Sequence, residues 1–241
     1  MICSSGVSFD PRLDGQRLTF GFEGVWKGTA ILYDRDTGSL WMHFTGACFA
    51  GPRAGRSLTV LGTGTHTTWA AWRRDHPDTD VMAPDPRFSK GYFDREQARS
   101  GRAFLPPEFS ETIGPRDPRL PANALLLGVS AGGETRAYPL ARLAATSGVV
   151  AETVGGVPLT VWYEAGSRTA CAFDARLDGR TRTFVRRPEG FFEDETESRF
   201  DLDGRCVAGA LIGRSLVRVT SLLTEWYGWF AHHPKTSIFG P

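Results

Sequence analysis

The alternation of apolar and polar residues predicts a chain made mostly of β-hairpins. Residues 125–140 and 151–163 each contain two apolar runs on either side of a Gly-Gly pair, which is the turn chemistry of a tight hairpin. Residues 28–44 alternate in the same way around a polar turn. The sequence RLDG occurs at 12–15 and again at 176–179, and its Asp-Gly pair is typical of a type I′ turn. The predicted fold is therefore mainly β.

Two short tryptophan-bearing segments depart from this pattern and predict helices. In HTTWAAWRRDHP a threonine can cap the first turn, Trp69 and Trp72 share one face, and Pro77 ends the helix. A second helix is predicted over 224–233, and the His-Pro pair after each helix is expected to form its C-terminal cap. The predicted fold class is mainly β (α+β), with hairpin-rich domains that are each closed by one short helix.

Four blocks of sequence occur twice in the same order, at a spacing that falls slowly from 164 to 157 residues. FDPRLDG at Phe9 matches FDARLDG at Phe173, and WAAWRRDHPDT at Trp69 matches WYGWFAHHPKT at Trp226. Ordered blocks with a shrinking offset indicate a duplication with small deletions in the second copy. The two homologous domains that we predict are 1–82 and 125–241.

The two copies are unequal where they begin. The second copy has two hairpins before Phe173, whereas at the offset of 164 residues Leu125 would map to position −39 of the first copy. We therefore expect the first repeat to be truncated at its N-terminus. A signal or lipid anchor in the missing part would place the protein outside the cytoplasm, but the sequence itself assigns no localisation.

A proline-rich segment, 83–124, separates the copies and holds seven of the fifteen prolines. A linker of this length seldom hangs loose, and its aromatic residues predict that it packs along both domains. A junction of this kind is a preferred place for a ligand pocket. The aromatic residues are Phe88, Tyr92, Phe93, Phe104 and Phe109.

The composition narrows the classes of partner. The 28 Lys and Arg residues nearly balance the 27 Asp and Glu residues, so no strong field would attract nucleic acid. No apolar run approaches the roughly 18 residues that span a bilayer. The sequence also has no phosphate-binding loop, nucleophile elbow or His-Glu-x-x-His zinc motif. A small molecule is the partner class that we retain, and the oligomeric state is not predicted.

Four segments resemble a known family. GVSAGGETRAYPL (128–140), AETVGGVPLTVWY (151–163), VSFDPRLDG (7–15) and LYDRDTGSLW (32–41) are similar, block by block, to a bacterial family known only as a domain of unknown function, DUF3179. The resemblance covers nearly the whole chain and implies a fold and a candidate site. It implies no reaction, because the family has no established activity.

The resemblance also implies a thiol site. Members of the family carry a Cys-x-x-Cys whose second cysteine stands six residues before the Phe of FDR, which is the place of Cys3 here, and the first would stand one place before Met1. Glu164 and Ser167 occupy these places in the second copy. A cysteine pair of this spacing binds a metal ion or cycles between dithiol and disulfide. Cys3 is therefore the candidate catalytic and metal-binding residue of the intact protein.

A metal ion at Cys3 would need more ligands, and no cofactor is otherwise predicted. The ligands available to it are His43, His66, His76 and carboxylates. The remaining cysteines lie among small apolar residues and are predicted to be buried core thiols. These are Cys48, Cys171 and Cys206.

Asp34 and Trp41 match the family in the first copy, whereas the second copy has Glu193 and Phe200 at these places. A site kept in one copy and lost in the other is what an active domain beside a structural one would show. The alternative is that DRDTGS is only a well-formed turn. The candidate ligand-binding residues are Asp34, Ser39, Trp41, His66 and Trp69.

Two functions follow from these candidates. The preferred one is a non-catalytic small-ligand-binding or scaffold protein of two pseudo-repeats, which recognises its ligand at a tryptophan-lined junction. The alternative is a thiol- or metal-dependent enzyme or redox protein that uses Cys3. We prefer the first because one cysteine near the N-terminus, without its partner, is a poor catalytic centre.

Overall fold

The computed structural model describes residues 3–63, 66–83, 85–87, 111–114 and 116–240. Strands make up 44% of the chain, and the helices in the described part are three short ones, so the mainly β prediction is confirmed. We refer to residues 3–83 as the first half and to residues 116–240 as the second half.

The elements follow one another in short steps. The first half contains β1 (Val7–Phe9), β2 (Arg12–Leu13), β3 (Gln16–Arg17), β4 (Phe20–Trp26), β5 (Thr29–Asp34), β6 (Leu40–Met42), β7 (Cys48–Ala50), β8 (Val60–Thr63) and α1 (Trp69–Asp75). The second half begins with β9 (Leu125–Ala131), β10 (Glu134–Pro139), α2 (Leu140–Leu143), β11 (Val149–Val154), β12 (Val157–Glu164) and β13 (Thr169–Asp174). It ends with β14 (Arg176–Leu177), β15 (Arg180–Thr181), β16 (Phe184–Arg187), β17 (Gly190–Glu193), β18 (Arg199–Phe200), β19 (Cys206–Ala208), β20 (Thr220–Glu225), α3 (Trp226–His232) and β21 (Ser237–Ile238).

The strands form small, mostly antiparallel sheets. Each half has a four-stranded meander, β4-β5-β6-β7 in the first and β16-β17-β18-β19 in the second, together with a two-stranded ribbon, β2-β3 or β14-β15. The first half adds the pair β1-β8. The second half adds the three-stranded sheet β11-β12-β13 and the four-stranded sheet β20-β9-β10-β21.

The predicted hairpins are present. β9 and β10 meet at Gly132-Gly133, and β11 and β12 meet at Gly155-Gly156. In the RLDG ribbon, Asp14 and Gly15 both have positive φ, 50° and 80°, which is the requirement of a type I′ turn. The parallel pairing of β10 with β21 was not predicted, because no local pattern links residues about one hundred positions apart.

The two tryptophan-bearing helices form as short, seven-residue elements. The Thr68 hydroxyl accepts a hydrogen bond from the Ala71 amide and caps α1, as the sequence predicts. α3 begins at Trp226, two residues later than predicted, because β20 pairs with β9 as far as Glu225. His76 and His233 are the C-caps, which confirms the expectation for the His-Pro pairs.

The core consists of several buried clusters, one of which contains residues of both halves. Trp162 stacks on Phe191 in the largest aromatic group of the second half, and Trp41 occupies the core of the first. A third cluster joins the halves, with Cys3 and Phe44 from the first and Leu222 and Tyr227 from the second. The helix α3 is held in a fourth, formed by Leu120, Leu126, Ala137, Trp226 and Trp229.

Described residues of the predicted linker, 83–124, pack against both halves. Ile113 lies in the junction cluster with Cys3, and Leu120 packs on the tryptophans of α3. The prolines and aromatic residues on which the packing prediction rests lie mostly outside the described residues. Phe88, Tyr92, Phe93, Phe104 and Phe109 all fall there.

The contact between β9 and α3 depends on a glycine. Replacing Gly128 by Ala is expected to lower the free energy of unfolding by about 1–3 kcal/mol, because the new Cβ would lie 2.3 Å from Cε3 of Trp229. Gly24→Ala in β4 is the control, since a Cβ there meets nothing within 4 Å. Urea unfolding followed by circular dichroism measures both variants, and equal stabilities would contradict the packing described.

Candidate functional site

Cys3 lies at the junction of the two halves and is completely buried, with 0% of its surface exposed. Its side chain packs against Phe44, Ile113, Leu222 and Tyr227. The residue has a φ of 48°, so the chain turns sharply as it enters the cluster. The thiol predicted to be the reactive centre is therefore part of a core that both halves share.

Hydrogen bonds attach the Cys3 turn to the start of α3. The Cys3 amide donates to the Tyr227 hydroxyl at 2.7 Å. The Cys3 carbonyl accepts from the Glu225 amide at 3.0 Å and from the Thr224 hydroxyl at 2.9 Å. The sulfur lies 2.9 Å from the Ser5 hydroxyl oxygen. These contacts orient the end of β20 and the first turn of α3 relative to the first half.

Burial raises the pKa values of three acidic groups at the junction. Burial raises the pKa of the Cys3 thiol, and hydrogen bonds from Ser5 and Thr224 do not outweigh it. Burial also raises the pKa of Glu225 and that of Tyr227. Because the thiolate is the nucleophile and the metal ligand, a buried thiol with a raised pKa is not prepared for either role.

The second half makes the reciprocal contact. The hydroxyl of Ser167, which the predicted repeat aligns with Cys3, donates to Thr169 Oγ1 at 2.8 Å. The Thr169 hydroxyl in turn donates to the backbone carbonyl of His66 at 3.1 Å, just before α1. His66 is half-buried, and burial lowers the pKa of its imidazole. The contact of His66 described here is thus made by its backbone.

Asp34, Ser39 and Trp41 lie together, as the sequence suggested, but inside the core. The carboxylate of Asp34 accepts hydrogen bonds from the Trp41 indole at 2.9 Å and from the Thr37 amide at 2.7 Å. Burial alone would raise the pKa of Asp34, but these hydrogen bonds outweigh it and the pKa lies below its ordinary value. The Ser39 hydroxyl accepts from the Arg53 amide at 3.1 Å. The Asp34 carboxylate and the Ser39 hydroxyl thus have hydrogen-bond partners within the protein and need no ligand.

The second half also contains a buried carboxylate, Glu193, whose partners are different. Glu193, which the predicted repeat aligns with Asp34, accepts from the Thr196 amide and hydroxyl. Phe200 has no indole N–H, and the guanidinium of Arg182 lies 3.4 Å from the Glu193 carboxylate instead. Arg182 was missed in the sequence, although at the offset of 164 residues it stands where the first half has the buried Leu18. In each half the buried carboxylate is thus paired by neighbouring side chains and backbone amides.

The tryptophans of the two helices differ in exposure. Trp69 and Trp72 on α1 are 51% and 37% exposed, whereas Trp226 and Trp229 on α3 are 1% and 3% exposed. The internal geometry of the two helices is nevertheless the same. Trp72 donates to Thr79 Oγ1 at 2.9 Å, and Trp229 donates to Thr236 Oγ1 at 3.0 Å. The first half thus presents outward a face that the second half buries.

A histidine contact at the junction also escaped the sequence reasoning. The Thr29 hydroxyl donates to the Trp26 carbonyl at 3.1 Å and lies 3.0 Å from Nε2 of His232. Because the hydroxyl has one proton, Nε2 of His232 is the donor in this contact. Burial, with smaller contributions from nearby cations, lowers the pKa of His232 to about 4. The residue links α3 to the β4–β5 turn as a neutral side chain.

Two clefts on the described surface are small or lined by groups that are already paired. One of about 270 Å³ is lined by Arg53 and Arg56, but the first bonds to Gln16 and the second pairs with Asp14. A crevice of about 10 Å³ beside Trp226 and Tyr227 has room for roughly one water molecule. This crevice beside Trp226 and Tyr227 is therefore too small for a larger ligand.

Metal binding at Cys3 receives no further ligands from the structure. Across the described ranges, no group of three or more His, Cys, Asp and Glu side chains is placed to hold a metal ion. The neighbours of the Cys3 sulfur are mainly apolar, so the residues present do not fit a metal centre. The other three cysteines are buried in the core, as predicted.

Comparison with known proteins identifies the family. A family model described as "Protein of unknown function (DUF3179)" matches residues 1–236. The chain belongs to the DUF3179 family. No curated protein and no solved structure matches this DUF3179 chain. Within its described residues, no helix combines the length and the apolar character needed to cross a membrane.

His232 predicts that stability of this DUF3179 protein falls in acid. The His232 imidazole binds a proton near pH 6.5 in the unfolded state and only near pH 4 in the folded state. Its contribution to the free energy of unfolding is therefore complete above pH 6.5 and is lost as the pH falls toward 4. The full contribution is about 3 kcal/mol. Urea unfolding at pH 7 and pH 4.5 should show a smaller loss in His232→Gln than in the wild type.

His76 is exposed and follows α1, so His76→Gln is the matched control for this experiment. It should retain the acid sensitivity of the wild type. Equal pH dependence in His232→Gln and the wild type would show that His232 is not held neutral at the junction.

Proposed function

We propose that the protein is a non-catalytic binding or scaffold protein, built from two copies of one unit, which binds its partner through the tryptophan face of α1. One observation carries this proposal: Trp69 and Trp72 are 51% and 37% exposed, while the matching pair on α3 is 1% and 3% exposed. Exposed clustered aromatic residues are typical of interaction surfaces.

Repeated contacts support the two-copy architecture, with repeats at 1–82 and 125–241 and a linker at 83–124. The Asp14–Arg56 ion pair has a counterpart in Asp178–Arg214. The Cys48 thiol donates to the Ala50 carbonyl at 3.4 Å, and the Cys206 thiol donates to the Ala208 carbonyl at 3.3 Å. The meanders β4–β7 and β16–β19 have the same strand order. We take the halves to be copies that diverged in what covers their helix.

The form of the exposed face suits a polypeptide better than a small molecule. Small ligands are usually enclosed by concave pockets of about 300–1,000 Å³. The clefts described above are smaller and are lined by charged groups already paired, or have room for little more than one water. A flat pair of indole rings instead offers large rigid contact area at a low cost in entropy. We therefore assign the ligand contacts to Trp69 and Trp72.

The alternative, thiol- or metal-dependent chemistry at Cys3, has weaker support. It requires the thiol to become accessible and ionised, whereas the side chain is fully buried and burial raises its pKa. The Asp34 carboxylate and the Trp41 indole bond to each other, and the Ser39 hydroxyl bonds to the Arg53 amide, so these polar atoms are already paired.

Peptide selection tests the binding function. A random peptide library displayed on phage is selected on the wild-type protein, and selected peptides are titrated against three proteins while tryptophan emission is recorded. We expect binding to the wild type and to Cys3→Ser, which copies the Ser167 of the second half. We expect weakening of about tenfold or more in the double variant Trp69→Ala/Trp72→Ala.

Peptides that bind the double variant as tightly as the wild type would contradict the assignment to α1. Peptides that need Cys3 would favour the thiol alternative. Failure to select any peptide would count against a polypeptide-binding function. Thermal unfolding of each variant establishes that it is folded at the temperature of the titration.

A further inference from the structure

The second half shows what covers a tryptophan face of this kind. β9 pairs antiparallel with β20 and passes beneath α3. At Gly128 the backbone of β9 lies so close to Trp229 that an added Cβ would stand 2.3–2.5 Å from three atoms of the indole ring. Leu126 of the same strand and Ala137 of β10 complete the cover of the two tryptophans. The covering element is a β-hairpin with a small residue at one defined place.

α1 presents the same arrangement before any cover is added. The Trp72 and His76 rings have centroids 4.0 Å apart, as do those of Trp229 and His233. The indole of Trp72 is fixed by its hydrogen bond to Thr79, as that of Trp229 is by Thr236. The rings are therefore held in the orientation that accepts a strand in the second half. Preorganised aromatic side chains reduce the entropy lost on binding.

We propose, on the basis of the binding function above, that the partner of α1 is an extended strand of another polypeptide with glycine facing Trp72 and aliphatic residues beside it. The close approach to Trp229 requires that the partner's backbone touch the ring. A strand is the element that makes this contact in the second half, whereas the side chains of a helix usually hold its axis about 8–10 Å from a neighbouring helix. A strand interrupted by glycine brings its backbone against the ring and lays its flanking side chains on either side.

The requirement for glycine makes the specificity testable. Any side chain larger than hydrogen at the facing position would collide with a ring that the Thr79 hydrogen bond holds in place. The binding face should therefore discriminate between strands that differ only at that position. Recognition by hydrophobicity alone would not show this discrimination.

The probe is a synthetic peptide that spans residues 121–139 of this chain, which carries the β9–β10 hairpin and contains no tryptophan. Titration into the full-length protein should give saturable binding with a blue shift of tryptophan emission. The peptide with Gly128→Val should bind about tenfold more weakly or worse. Trp72→Ala in the protein should weaken binding of the unmodified peptide by a similar factor. Trp69→Ala serves as a second protein variant if Trp72→Ala does not fold.

The outcomes separate this inference from the binding function. Equal affinity of the glycine and valine peptides, with dependence on Trp72, would overturn the strand inference and leave the binding face in place. No binding of the hairpin peptide would also overturn it, even if phage-selected peptides bind at α1. Binding that is insensitive to both tryptophan substitutions would place the peptide elsewhere and overturn it too.

Discussion

The structure depends on covering a pair of tryptophans that a very short helix cannot bury by itself. Helices of seven residues are not stable alone in water, so α3 persists because Trp226 and Trp229 are buried against β9 and β10. Gly128 permits that contact, since only a residue without Cβ allows the strand to touch the indole ring. α1 has no such cover in the described structure, and its Thr68 cap and the Trp72–Thr79 bond supply local order instead.

Hydrogen bonds join the two halves near the N-termini of α1 and α3. The Cys3 turn bonds to the end of β20 and to Tyr227, and the Ser167–Thr169 turn bonds to the chain just before α1. His232 adds a contact from α3 to the β4–β5 turn. Cys3 is thus explained as a structural part of this junction. The same fastening holds α1 at a fixed place on the surface, which is the property a binding face needs.

Much of the fold could be predicted from local sequence signals. The rest depends on long-range packing, which such signals do not reveal. The Asp-Gly and Gly-Gly turns, the capped tryptophan helix and the buried cysteines follow from neighbouring residues in the sequence. The parallel β10–β21 pair and the Thr29–His232 contact join residues about 100 and 200 positions apart, so no local sequence pattern predicts them. The sequence also does not predict the exposure of Trp69, because exposure depends on whether residues distant in the sequence pack against the side chain. The predicted repeat aligns Arg182 with Leu18, but only the structure shows that Arg182 pairs with Glu193.

Oxidative footprinting of the seven tryptophans tests the central claim most directly. The chain is exposed briefly to hydroxyl radicals, and mass spectrometry of its peptides gives the rate of modification at each residue. Trp69 and Trp72 should react at rates near that of Trp26, which is 45% exposed, while Trp226 and Trp229 should be protected like the buried Trp162. Equal protection of the α1 and α3 pairs would show that the α1 face is already covered in solution, and would contradict the account.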